Sequence, residues 1–236
     1  MRATAVVALL LVAACAREPR LVAVDVGHFL AEPGAMSARG RSEFEFNSEL
    51  ALAIRATLEA EGLRVVLIGA DGRASVLARR TEVARHADLF LSVHHDSVQP
   101  QSLEDWEHDG KVDRYSDRFA GFSLFVSRRN PHLDASLACA SSIGAALRAA
   151  GFLPSLYHAE PIAGESRPFA DRLNGVHYYD ELFVLRSATQ PAVLFEAGVI
   201  VNRAEELALR EPAMQRRIAD AVARGVQGCL QPHARF

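Results

Sequence analysis

Three places in the chain combine residue types that can do chemistry together. Gly27-His28 follows an apolar run, His94-His95-Asp96 ends another, and Glu196 ends a third. Glu43 and Glu45 lie just ahead of a helical pattern. Two imidazoles and one carboxylate brought to one point form a three-ligand set for a catalytic zinc, with a coordination position left open for water or substrate. A further carboxylate beside such a set can serve as general base and acid.

Elements that could bring these residues together are visible around them. Leu21–Val26, Arg64–Ile68 and Asp88–His94 are short, largely apolar runs that read as buried strands. Phe122–Val126, Leu182–Leu185 and Ala192–Phe195 read as three more. Leu50, Ile54 and Leu58 recur every four residues in a helix from an N-cap region at Asn47 to Glu61, closed by Gly62. Helices are also expected over 75–87, 134–150 and 204–226, the last with a break at Pro212. Alternating strands and helices predict a single α/β domain with a central, mostly parallel sheet of about six strands flanked by helices. In such sheets functional groups gather beyond the carboxyl ends of the strands, where His28, His94 and Glu196 fall. Segments 97–120 and 154–180 read as irregular insertions, and His158 and His177 in the second are candidates to line a groove. The arginine pairs 39/41, 79/80 and 128/129 read as solvated faces or loop anchors, and Phe44 and Phe46 as residues packed under the first helix.

Composition limits the function classes. The 236 residues are 50% hydrophobic and 23% charged, an ordinary globular balance. Basic and acidic residues number 26 and 29, a net charge of −3, which argues against bulk nucleic-acid binding. Met1-Arg2 is followed by an apolar run from Ala3 to Ala14, shorter than the ~20 residues that span a bilayer as a helix. The run has the length of a signal-peptide core. Leu11-Val12-Ala13-Ala14-Cys15 resembles a bacterial lipobox, which implies cleavage before Cys15 and acylation of that cysteine. The alternative is an ordinary signal peptide cut after Cys15-Ala16. Either way the mature chain is expected to be exported to the periplasm, and with Ala16 after the cysteine the lipobox reading favours an anchor in the outer membrane. Residues 15–20 then form a short tether and 21–230 the domain. Cys139 and Cys229 remain, an even pair for an oxidising compartment. Sequence leaves open whether they form a disulfide or Cys139 is a small core residue.

Four motifs, in order, carry a family resemblance. Val24-Asp25-Val26-Gly27-His28 with Pro33-Gly34-Ala35 resembles the opening of the zinc-dependent N-acetylmuramoyl-L-alanine amidases of the Amidase_3 family. Ser92-Val93-His94-His95-Asp96 is similar to that family's Ser-Ile-His-Ala-Asn strand end. Leu185-Arg186 fits too, as does the segment from Pro191 to Gly198 with Asn202 beyond it. The resemblance implies that His28, His94 and Glu43 bind Zn2+, with Glu45 as the alternative acidic ligand, and that Glu196 is the catalytic glutamate. It implies as substrate the peptidoglycan amide between the lactyl group of N-acetylmuramic acid and L-alanine. Arg186 is expected to bind a peptide carboxylate or brace the site, and Asp25 to orient a liganding histidine or cap nearby backbone. His95, Asp96, Val26 and Phe29-Leu30 depart from the family pattern and bear on substrate preference. An inserted segment can cover the metal in related enzymes, so Glu104, Glu107 and His108 are candidates for an inhibitory ligand, and an activator protein is a candidate partner. The competing expectations are a zinc peptidase for another wall amide and a silent peptidoglycan-binding lipoprotein.

Overall fold

Strand β1 (Leu21–Val26) sits near one edge of a seven-stranded sheet whose order is β2-β1-β3-β9-β6-β8-β7 in a computed structural model that describes residues 18–231. The signal segment, Cys15 and His233 lie outside the described residues. β2 (Arg64–Ile68), β1, β3 (Leu89–Asp96) and β9 (Ala192–Val199) pair in parallel. β6 (Ser123–Val126) runs antiparallel to β9 and pairs in parallel with β8 (Val176–Tyr178). The short β7 (Phe169–Asp171) closes the far edge, antiparallel to β8.

Side chains alternate across the sheet, as the pleat dictates. Val22, Val24, Leu89, Leu91, Val193 and Phe195 face a thick layer of α1 (Glu43–Ala60), α3 (Leu133–Ala149) and α6 (Pro212–Leu230). Ala23, Phe90, Phe125 and Leu194 face the other way, onto α2 (Leu77–Val83) and α4 (Phe183–Ser187). Burial of both faces explains why the central strands read as continuous apolar runs. Cys139 of α3 and Cys229 of α6 are joined by a disulfide. Asn202 caps α5 (Arg203–Arg210), accepting from the Ala204 and Glu205 amides, and the expected break falls between Arg210 and Pro212.

Three expectations are corrected. Leu182–Leu185 is not a strand, for residues 183–187 form α4 and cover the second face of the sheet. The segment 97–120 is not all loop, for Glu104–His108 (β4) and Lys111–Tyr115 (β5) form a hairpin. Trp106 fixes it to the body, donating to the Ala38 carbonyl at 2.9 Å under the guanidinium groups of Arg39 and Arg203. Segment 154–180 likewise supplies β7 and β8, so the sheet has seven strands rather than six.

Candidate active site

The carboxyl ends of β1, β3 and β9 meet the N-terminus of α1. Ser42 is the N-cap of α1, five residues earlier than the sequence suggests. Glu45 turns back to accept from the Ser42 amide and hydroxyl at 3.1 and 2.8 Å, a capping box that leaves it half exposed. Glu43, in the same first turn, faces inward and is buried. Its two oxygens reach His28 Nε2 at 3.1 Å and His94 Nδ1 at 2.9 Å. One ligand atom each from His28, Glu43 and His94 lies within 4.8 Å of the others. Of the two acidic candidates, Glu43 is the one the fold brings to the imidazoles.

Two glycines are required by this closeness. A Cβ on Gly27 would stand 2.3 Å from the His94 ring, and one on Gly34 would stand 2.4 Å from Glu43 Oε2. Gly34 also has φ +80°, a conformation side chains resist. His28 itself has φ 66°, rare outside glycine. Its loop is held by Arg80 of α2, whose guanidinium donates to the carbonyls of Val26 and His28 and pairs with Asp25 at 2.8 Å. Asp25 also accepts from Ser92 at 2.8 Å. Asp25 therefore contacts neither His28 nor His94 directly; it fixes the arginine that shapes the His28 loop. Arg80 is fully buried, a loop anchor rather than a solvated face.

A second support lies behind the cluster. Asn47 is not a cap but a buried residue of α1, donating at 3.2 Å to both Glu43 Oε1 and the Gly27 carbonyl. His95 Nδ1 donates to the Asn47 oxygen at 2.8 Å. Burial pushes the His95 pKa down to about 3, so it is a neutral donor that fixes Asn47. His95 thus acts on the cluster through Asn47 and Glu43.

Glu196 lies beside His94, its register partner across β3 and β9. Its Oε2 is buried and has no hydrogen-bond partner among the described residues. Burial, with the nearby carboxylates of Asp96 and Glu43, raises its carboxyl well above the ordinary range, while Arg167 opposes the rise. Asp96 accepts from His158 Nε2 at 2.7 Å, and His158 Nδ1 bonds Glu165 at 2.8 Å. Burial disfavours charge on His158, but the two carboxylates outweigh it and raise its pKa to about 9. Arg167 pairs with Glu165 and stacks on Tyr179, its guanidinium carbon 4.1 Å from the ring centroid. Arg167 and Glu165 lie in the site without any local sequence pattern to mark them, and Asn47, expected as an N-cap, instead supports Glu43 from within α1.

Other expectations fall elsewhere. Arg186 is exposed on α4, its guanidinium over Phe183. His177 is wholly buried beneath Phe169 rather than lining a groove. Glu104 accepts from the Tyr115 hydroxyl at 3.0 Å, and His108 stacks on Trp106. Neither they nor Glu107 join the histidine–glutamate cluster.

Comparison with known proteins gives one consistent result. A family model described as N-acetylmuramoyl-L-alanine amidase, Amidase_3, matches residues 22–228. The N-acetylmuramoyl-L-alanine amidase AmiA of Salmonella typhimurium is 26% identical over 221 residues, covering 88% of this chain and 75% of that protein. The catalytic domain of CwlV, an N-acetylmuramoyl-L-alanine amidase from Bacillus (Paenibacillus) polymyxa, is 27% identical with a TM-score of 0.65, covering 88% of this chain and 96% of that one. The amidase Ami1 of Mycobacterium smegmatis, 22% identical, shares the fold with a TM-score of 0.70 over 89% of this chain and 96% of its own.

Proposed function

This chain belongs to the N-acetylmuramoyl-L-alanine amidase family Amidase_3, and from that premise we propose that it is a zinc-dependent enzyme cutting the peptidoglycan amide between the lactyl group of N-acetylmuramic acid and L-alanine. The observation that carries the reading is the convergence of His28, Glu43 and His94 with the unpartnered Glu196 at one sheet edge. Two imidazoles and one carboxylate suit zinc, and Gly27 and Gly34 let the backbone pass close against the three side chains that would hold it. His28, Glu43 and His94 would hold the ion. When bound at such a set, zinc lowers the pKa of a water to about 7 and polarises a carbonyl.

The chain's own groups do the rest. Glu196 takes a proton from the attacking water as the carbon–oxygen bond forms. It returns that proton to the leaving nitrogen as the carbon–nitrogen bond breaks, releasing the peptide amine and the lactyl carboxylate. A carboxyl raised by burial lies closer to neutral pH, the range in which one group can both accept and return a proton. Asn47 and His95 hold Glu43 in place, and Arg80 holds the His28 loop.

Export of the mature chain, with a lipid anchor on Cys15, is part of the same proposal. The lipobox-like segment supports it, and so does the Cys139–Cys229 disulfide, a bond suited to an oxidising compartment. The catalytic assignment is tested with Glu196→Gln. The variant is expected to keep its zinc, measured by metal analysis, and to lose at least about 10²-fold in kcat. Turnover near the wild-type rate would remove Glu196 from the reaction.

A further inference from the structure

Two cavities flank the His28–His94 pair, and they differ in character. One, of about 330 Å³, lies between α2 and α4 and is walled by Phe29, Leu77, Phe183 and Val184. The other, of about 380 Å³, holds Glu196, Asp96, His158, Glu165 and Arg167. His28, His94, Leu182 and Leu194 belong to both. A substrate whose scissile carbonyl lies at the histidines therefore has one half in each cavity.

Reaction chemistry decides which half goes where. The leaving nitrogen must lie within hydrogen-bond reach of the group that protonates it. Glu196 lines only the second cavity, so the amine side of the bond, the peptide, extends there. The acyl side, with its lactyl methyl and acetamido groups, is left with the apolar cavity under α4.

The peptide half carries negative charge close to the bond. The second stem residue is a glutamate joined through its side chain, so its α-carboxylate is free unless amidated. Both ring nitrogens of His158 are already engaged, by Asp96 and Glu165. Arg167 differs. One of its terminal nitrogens meets Glu165, while its Nε is buried without a partner among the described residues. Its backbone is pinned as well, the amide donating to the His158 carbonyl at 2.7 Å. Stacking on Tyr179 holds the guanidinium plane. The result is a preorganised cation in the lining of the Glu196 cavity, on the peptide side of the catalytic glutamate, whose side-chain hydrogen bonds among the described residues run through Nη1 and leave Nη2 to donate.

We propose that Arg167 is a specificity residue that binds the free α-carboxylate of the second stem residue, with the peptide lying in the Glu196 cavity and the acyl half in the α2–α4 cavity. This rests on the amidase reading and deepens it. The enzyme prefers stems with a second-position D-glutamate over stems amidated there to D-isoglutamine. A charge-assisted pair of this kind is expected to give tenfold discrimination or more.

The test uses the zinc-loaded protein and two N-acetylmuramoyl tripeptides that differ only at this group, the acid and the amide. The kcat/KM ratio of acid to amide is measured for wild type, Arg167→Gln and Arg167→Lys. Calorimetric titration of the two free tripeptides supplies a readout that needs no turnover. The expected results are a ratio of at least about ten for wild type, near one for Arg167→Gln and intermediate for Arg167→Lys. The free acid peptide is expected to bind wild type correspondingly more tightly than the amide. A wild-type ratio near one, or a ratio unchanged in Arg167→Gln while both substrates slow together, overturns the assignment and leaves the amidase reading standing. Wild-type cleavage of neither substrate, with no binding preference between the peptides, overturns both.

Discussion

Charge at the site is arranged so that each buried ionic group but one has its partner within bonding distance. Asp25 has Arg80, Asp96 has His158, and Glu165 has both His158 and Arg167. The exception is Glu196, whose Oε2 has no partner among the described residues and which lies beside His94, a setting that suits the proton exchange proposed for it. His158 gives a measurable consequence. Its pKa rises from 6.5 to about 9 because Asp96 and Glu165 favour the cation against the cost of burial. A raised histidine contributes stability that is fully present below its unfolded value and is lost as pH rises through the folded one. Relative to His158→Gln, wild type is expected to be more stable at about pH 6, on the order of 3 kcal/mol, and to lose that advantage by about pH 10. Urea unfolding of both proteins across this range checks it; a pH-independent difference would mean that His158 is not charged in the fold. At this scale the sequence showed His28, His94, Glu196 and the two acidic candidates, because each stands beside an element boundary or in a motif. It could not show the supporting residues. Arg80 meets Asp25 across 55 positions of chain, and His158 meets Asp96 across 62.

At the level of elements, strand ends and one helix start do the positioning. β1 and β9 flank β3, so three loops or strand ends open at one edge, and the N-terminus of α1 delivers Glu43 to them. Gly27 has no space for a methyl group against the His94 ring of the neighbouring strand. Gly27→Ala is therefore expected to fold but to bind zinc at least about tenfold more weakly, since it displaces a liganding ring, a cost of the size seen when ligand orientation is disturbed. Competition of the purified variant against a zinc chelator measures this, and wild-type affinity would show that the ring moves without cost. The strands β1, β2, β3, β6 and β9 were readable from apolar runs. Leu182–Leu185 was not, because a four-residue apolar run fits a buried strand and a buried helical turn equally well. Its true role, covering the Ala23–Phe90–Leu194 face from α4, is set by a sheet surface that is not local in sequence. The β4–β5 hairpin escaped for a related reason: its strands are charged and exposed, and Trp106 with a few polar and cation–π contacts, rather than an apolar face, joins it to the domain.

Across the whole molecule, the site edge and the helical layer answer to different demands. The layer of α1, α3 and α6 supplies most of the buried apolar surface, and the disulfide ties two of its helices across 90 residues of sequence. A disulfide typically contributes about 2–4 kcal/mol, and one that closes a segment this long lies at or above the upper end of that range. Reducing the bond, or replacing both cysteines by alanine, is expected to lower unfolding stability by that amount while leaving zinc content intact, as chemical denaturation and metal analysis would report. The α/β class and single domain were legible from the alternation of elements. The antiparallel turn at β6 and the strand order were not, because they depend on pairings between distant segments. The proposed activity of this edge is zinc-dependent hydrolysis of the lactyl–alanine amide of peptidoglycan. Its most direct test is digestion of purified sacculi by residues 16–236, with and without a zinc chelator, and mass spectrometry of the products. Free stem peptides beginning with L-alanine and intact glycan strands are expected, lost on chelation and restored by zinc. Products cut within the peptide or the glycan, or release that persists in the chelator, would contradict it.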